Sequence, residues 1–219
     1  MDVDNKTLRW GGLAGILAFV VWIIEMPVYG YVDPFVEMGL TRFPEVRDVL
    51  GLSTILCMTT AFLSIAFVLT LYQVLRDTSK SLALYGTVLS IIGLIGIALS
   101  DASTFYAFEP LSEMYHTPGA TAEAQAAVVM LWESTQGVTY TYTFIGGLFL
   151  MVGFIALGLA MKRVPEFGRL GWMTVALGVF GALGSFFSLF VFETIGFMFL
   201  SDLAFLLIVG RRVYGMSKV

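Results

Sequence analysis

The chain has 219 residues, 58 % of them hydrophobic and only 13 % charged, and its mean hydropathy is +0.88. A soluble domain carries about 45–50 % apolar and 25 % charged residues, so a soluble protein is excluded; at roughly 20 residues per span there is room for about five to seven spans and no separate soluble domain. The net charge of −4, a pI of about 4.9 and the lack of a basic cluster exclude nucleic acid as a partner.

Met1 to Thr7 is short and polar, and the apolar run after it lacks a small-residue cleavage site. That combination predicts a retained helix, not a signal peptide. Six apolar segments follow, with cores at 8–29, 50–75, 81–105, 138–161, 170–187 and 195–213. They predict an all-α fold: a polytopic transmembrane helix bundle of six spans forming a single domain over 1–219. Lys and Arg concentrate in cytoplasmic loops. Lys6, Arg9, Arg76, Lys80, Lys162, Arg163, Arg169, Arg211, Arg212 and Lys218 fall on one side of this topology and only Arg42 and Arg47 on the other. Both termini are therefore expected in the cytoplasm, in a cell-membrane, multi-pass protein.

The connections on the opposite side differ in kind. Asp33-Pro34 and Phe43-Pro44 resemble helix starts, with Pro at the first helical position and Glu45 and Asp48 suited to the positive end of a helix dipole. The segment 121–136 is Ala-rich without Gly or Pro, which predicts a helix running on into the fourth span. Together these form a small extracytoplasmic helical cap. The nearly all-apolar 188–194 predicts a tight turn at the membrane surface.

Within the first span, Trp22-Ile23-Ile24-Glu25-Met26-Pro27 places a carboxylate beside a residue that lacks the N–H for Ile23. A charge at membrane depth costs about 2.5–3.5 kcal/mol on insertion scales and normally faces a bundle interior or cavity. Gly11, Gly15, Ala18, Trp22, Glu25 and Tyr29 share one helix face, as do Gly86, Ser90, Gly93, Ile97, Asp101 and Thr104. Small residues let helices approach closely, so both stripes should turn inward and carry their acids with them. Ser53, Cys57, Thr60 and Ser64 form a polar stripe on the second span, Thr139, Thr143, Gly146 and Gly153 on the fourth, and Met198, Asp202 and Phe205 on the sixth. At about 1.5 Å per residue, Glu25 lies about 22 Å beyond Trp10, Asp101 about 30 Å beyond Ser81 and Asp202 about 10 Å beyond Ile195. All three fall in the outer half. The expected site is an acid-lined outer cavity of Glu25, Asp101 and Asp202, with Tyr29, Thr60, Thr143 and Met198 around them, binding a cation or small amphiphile. Near a span end, an acid can also simply reach the interface, and Asp202 can serve as a hydrogen-bond partner in packing.

A faint internal repeat sets Leu82, Ser90, Gly93 and Gly96 against Leu170, Gly178, Gly181 and Gly184 at constant offset. Tyr29, Tyr31, Tyr106, Tyr140, Tyr142 and Trp132 read as an aromatic belt. His116, the single histidine, lies in a Pro/Gly loop and reads as exposed; a metal site with Glu109 or Glu113 is the weaker alternative, and no metal or other cofactor is expected. No Lys, Arg or His lies inside a span away from its ends, which excludes a retinal-type Schiff base, a voltage sensor and a bis-His haem. The lone Cys57 excludes disulfides, Cys-ligated zinc and iron–sulfur clusters within one chain. HExxH, GxSxG and Walker motifs are absent. Asp101 and Asp202 sit in no pattern specific to a diacid protease.

The 122–132 segment, Tyr140-Thr141-Tyr142, Gly146-Gly147, Gly158, and Pro165 with Arg169-Leu170-Gly171-Trp172 resemble a prokaryotic family of six-helix integral membrane proteins of unknown function. The resemblance implies a six-helix fold in the cell membrane and supplies no catalytic or binding residue. Beside a transporter-like cation or amphiphile binder stands an accessory or scaffolding subunit of a larger complex, or a homo-oligomer, in which the acids are structural. An intramembrane enzyme ranks third, for want of a nucleophile paired with a base. Membrane lipids are a partner on every reading.

Overall fold

The computed structural model describes residues 3–32 and 39–217, except for the side chains of 29–32, 39, 192 and 193. Among the described residues there are five α-helices, a short 3-10 turn and no strand: α1 (Asn5–Val32), α2 (Gly39–Tyr115), α3 (Ala122–Met161), α4 (Arg169–Phe187), the turn (Phe192–Ile195) and α5 (Gly196–Met216). An apolar chain with few outside partners must bond its backbone groups within each segment, which is what a helix does. α1 to α4 are long and apolar enough to cross a membrane. α5 is not among them, because Asp202, Arg211 and Arg212 all fall within its 21 residues.

The segments expected at 50–75 and 81–105 lie in one element, α2. Straight, its 77 residues would reach about 115 Å. It is broken at Ser79, whose φ of −151° and ψ of 67° are not helical, and its two arms, 39–78 and 80–115, fold back on each other. Phe43 stacks on Phe108 at 5.4 Å, and Arg47 pairs with Glu109. Where a loop was expected around 76–80 there is a single-residue break. Arg163 braces it by donating from Nη1 to Ser79 Oγ over 3.2 Å.

One proline corrects an expectation. Pro44 does not occupy the first helical position, because α2 starts at Gly39. A proline in a helix frees the carbonyl four residues earlier, here Leu40, and the Ser112 hydroxyl of the other arm donates to that carbonyl at 3.0 Å. Tertiary pairing of the arms thus caps the carbonyl and lets the helix start early. Pro27 does not interrupt its helix: α1 runs through it to Val32. The Asp33-Pro34 expectation lies outside the described residues.

The helical runs close into a ring in the order α1, first arm of α2, second arm, α3, α4, α5 and back to α1. Gly11 sits on Thr70 and Gly15 on Phe67; Gly86 and Gly93 meet Leu157 and Leu150; Gly158 meets Gly171 and Val175; Gly184 meets Phe197; Gly12 and Gly210 join α1 to α5. Gly93 lies close against the α3 backbone, where a Cβ would come 2.5 Å from both Gly146 O and Leu150 N. Both glycine series of the faint repeat are such contact surfaces. The axis of the ring is plugged by Phe67, Phe154 and Phe205, all fully buried, with Phe154 stacked on Phe205 at 3.9 Å. Outward, the surface is apolar: Phe62, Ile55 and Leu99 are each more than half exposed, while Ser53, Ser64 and Ser90 are buried.

The helix expected over 121–136, running on into the fourth span, is present. α3 has 40 residues, about 60 Å, and its first half stands clear of the ring. Thr121 starts it by accepting from Ala124 N–H at 3.2 Å, the hydroxyl oxygen filling one of the unpaired donors of a helix start. Trp132 and Val128 pack there against Leu40, Phe43, Leu50 and Phe108 in a second apolar core. At the opposite end, with the Ser79 break, lie all nine described basic residues of the one-sided set. Arg212 Nε donates to Glu166 O at 2.8 Å, and Lys162 lies 3.4 Å over the Trp172 ring.

Replacing Gly93 by Val is expected to cost about 1–3 kcal/mol by overpacking against the α3 backbone, read as a lower thermal midpoint in detergent. Gly137, with nothing within 4 Å of where its Cβ would be, should accept Ala with no loss or a gain of up to about 1 kcal/mol.

Candidate functional site

The stripe on α1 turns inward as its spacing implied. Gly11 and Gly15 contact the first arm of α2, Ala18 is fully buried, and Trp22 meets Phe199 edge-on at 5.7 Å. The next position on this face is Glu25, which is 7 % exposed. Because α1 and the first arm run antiparallel, Glu25 comes level with the outward start of the Ser53 stripe. Ser53 Oγ donates to Glu25 Oε1 at 2.7 Å.

Asp101 reaches the same place from the second arm of α2. It lies within electrostatic reach of Glu25, and Cys57, on the Ser53 stripe, lies within reach of both. Thr54 is the residue beside Asp101, yet its Oγ1 and Asp101 Oδ2 complete no hydrogen bond among the described residues. The result is two carboxyl groups on separate runs, lined by Ser53, Thr54 and Cys57. Arg47, the basic residue about two turns outward on the same arm, is exposed and engaged by Glu109. Each buried polar atom left without a partner costs about 1–3 kcal/mol.

Asp202 stands apart from this pair. It is 1 % exposed, no charged neighbour among the described residues acts on it, and its Oδ2 has no hydrogen-bond partner among them. Its level is bracketed by the contacts of α5 with α1, Gly12 on Tyr214 and Gly210 on Ile16, and by the Phe67–Phe205 ring contact at 5.6 Å. Together they place Asp202 opposite the turn of the first arm from Thr60 to Ser64, inward of Ser53, the partner of Glu25.

The remaining expected residues divide. Thr60 is buried, and its Oγ1 has no partner among the described residues. Met198 is fully buried against Gly147. Thr143 belongs to the seam between the second arm and α3, with its hydroxyl 2.6 Å from Ser100 Oγ; Ser100 Oγ also donates to Thr139 O at 3.0 Å. The side chain of Tyr29 lies outside the described residues. His116 is exposed and its Nδ1 is 2.8 Å from Ser112 O. No group of three or more His, Cys, Asp or Glu side chains among the described residues is placed to hold a metal ion.

Three contributors lay off the stripes read from the sequence. Thr54 adjoins Ser53 and shares its level. Ser100 adjoins Asp101 but points to α3. Gln136 is a buried amide on α3, with neither side-chain atom partnered among the described residues. A polar residue next to a stripe was the available signal for the first two.

A family model matches residues 11–211, reaching into every helix and covering all three acids. The chain belongs to the DUF4386 family, a domain of unknown function. The DUF4386 match agrees with the resemblance to an uncharacterised family; the membrane-spanning character rests on the apolar helices. Nothing among curated proteins or solved structures matches the chain.

Replacing Ser53 by Ala in this DUF4386 protein removes the donor to Glu25 and is expected to lower stability by about 1–3 kcal/mol. The exposed Thr141, whose hydroxyl bonds only its own helix at Gly137 O, should accept Ala within about 0.5 kcal/mol. Thermal midpoints of the two variants, measured side by side in one detergent, check this.

Proposed function

We propose that the protein is a six-span cell-membrane protein with both termini cytoplasmic, and that it binds a small monovalent cation at the Glu25–Asp101 pair from the extracytoplasmic side. The fold-back of α2 supports counting its arms as two spans, and α5, packed along α1, as the sixth. Gathering of the described basic residues at the Ser79 end supports the orientation, since short cytoplasmic loops retain Lys and Arg.

The observation that carries the reading is the pairing of a buried and a half-buried carboxyl group on different runs, with hydroxyl groups around them and no basic side chain set against them among the described residues. Two bare anions this close in a low-dielectric bundle repel strongly, and one shared positive charge offsets that repulsion. Ser53, Thr54 and the carboxylates offer hard oxygen atoms, the donor type that suits alkali cations and protons. A site at one end of a ring of helices is suited to a transporter-like role, taking up its ion from that face. The exposed apolar side chains around the bundle are what lipid contact requires, and they do not favour a protein partner over lipid.

In detergent, the thermal midpoint should rise as sodium or lithium chloride replaces choline chloride at constant ionic strength. Glu25→Gln and Asp101→Asn should each weaken the apparent cation affinity at least about tenfold, equivalent to about 1.4 kcal/mol. Equal responses in the wild type and both variants would overturn the assignment.

A further inference from the structure

The inner stretch of the bundle holds polar atoms that the Glu25–Asp101 pair does not use. On the first arm of α2, Ser53, Cys57, Thr60, Ser64 and Phe67 follow one another at steps of three and four residues and so share a face. On α5, Met198, Asp202 and Phe205 do the same. Both runs are antiparallel to α1, through Gly11 with Thr70 and Gly12 with Tyr214, so they are parallel to each other. The Phe67–Phe205 ring contact at 5.6 Å and these contacts through α1 bracket their register. Between them, Asp202 comes opposite the turn of the first arm from Thr60 to Ser64.

Inward of Ser53, the three oxygen-bearing side chains on these facing stripes are buried, with Ser64 and Asp202 each 1 % exposed and Thr60 6 %. Ser64 Oγ, Thr60 Oγ1 and Asp202 Oδ2 each have no hydrogen-bond partner among the described residues. Thr54, Thr87 and Ser90 are likewise buried without a partner among the described residues, whereas Ser185 and Ser201 each donate to a carbonyl one turn back. A buried hydroxyl on a helix has that back-bond available, and here two successive hydroxyls on one face forgo it, opposite a carboxyl group with a free oxygen.

We propose that Asp202, Ser64 and Thr60 form a second site for a small monovalent cation, separate from and deeper than the Glu25–Asp101 pair. One carboxylate balances one monovalent charge, leaving the apolar middle of the bundle neutral, whereas a divalent ion would leave an uncompensated charge there. The two hydroxyls supply neutral oxygen ligands that need no further charge. Phe67, Phe154 and Phe205 close the space on the Ser79 side, so the site is reached from the Glu25 end. The inference stands on the register of α2 and α5 and does not require the outer pair to bind.

Radioactive sodium binding to the purified full-length protein, by scintillation proximity with lithium and choline chloride as competitor and control, tests it. Asp202→Asn should remove one sodium ion per chain, and Ser64→Ala should weaken that ion at least tenfold while the protein stays monodisperse. Glu25→Gln should leave the Asp202 ion in place. Sodium stoichiometry unchanged in both Asp202→Asn and Ser64→Ala would overturn the inner site, as would wild-type protein that binds no sodium. Loss confined to Glu25→Gln would uphold the outer site alone; loss confined to Asp202→Asn and Ser64→Ala would uphold the inner site alone. Should Asp202→Asn not fold, the Ser64→Ala titration decides.

Discussion

Hydrocarbon offers no hydrogen bonds, and that constraint organises this molecule. Every backbone donor and acceptor in its apolar stretches must find a partner within the chain, so the described residues form helices joined by turns of few residues. Polar side chains face the same demand. Ser53, Ser64, Ser90, Glu25 and Asp202 turn inward while Phe62, Ile55 and Leu99 face out, the reverse of a soluble bundle. The Pro44 gap shows how strictly the rule operates: the carbonyl it frees at Leu40 receives the Ser112 hydroxyl from another run.

Because lipid tails are as apolar as leucine, helices in such a bundle gain little from burying apolar surface and depend on close contact. The glycines of this chain supply it. Gly93 against Leu150, Gly178 against Met151 and Ile155, and Gly210 against Ile16 bring backbones into direct apposition around the ring. Aromatic side chains then fill the axis, Phe154 on Phe205 and Phe67 beside them. The cap obeys different physics. There α2 and α3 extend beyond the ring, and Trp132, Phe108 and Phe43 form an apolar core of the kind found in water-soluble domains.

Function enters where these rules are incompletely met. Glu25 is held by Ser53 and faces Asp101 across the bundle, while Asp202 sits deeper with an unpartnered oxygen. In this DUF4386 protein the acids therefore occupy two levels. The levels differ along the first arm of α2, where Ser53 meets Glu25 and the turn from Thr60 to Ser64 comes opposite Asp202.

The order of letters alone determined a good deal. Composition demanded a helical membrane protein, three- and four-residue steps identified the inward faces of α1 and of the second arm of α2, and an Ala-rich stretch without Gly or Pro announced the outward extension of α3. These are properties of one helix at a time, legible because side-chain direction follows from helix period. Continuity across 76–80 was not legible, since no Gly or Pro marks the break at Ser79 and only the docking of its two arms defines it. Nor was the separation of Asp202 from Glu25 and Asp101. Counting residues along one helix gives height along that helix, but the relative heights of neighbouring helices depend on which glycine meets which side chain across the gap, and that is decided by tertiary packing.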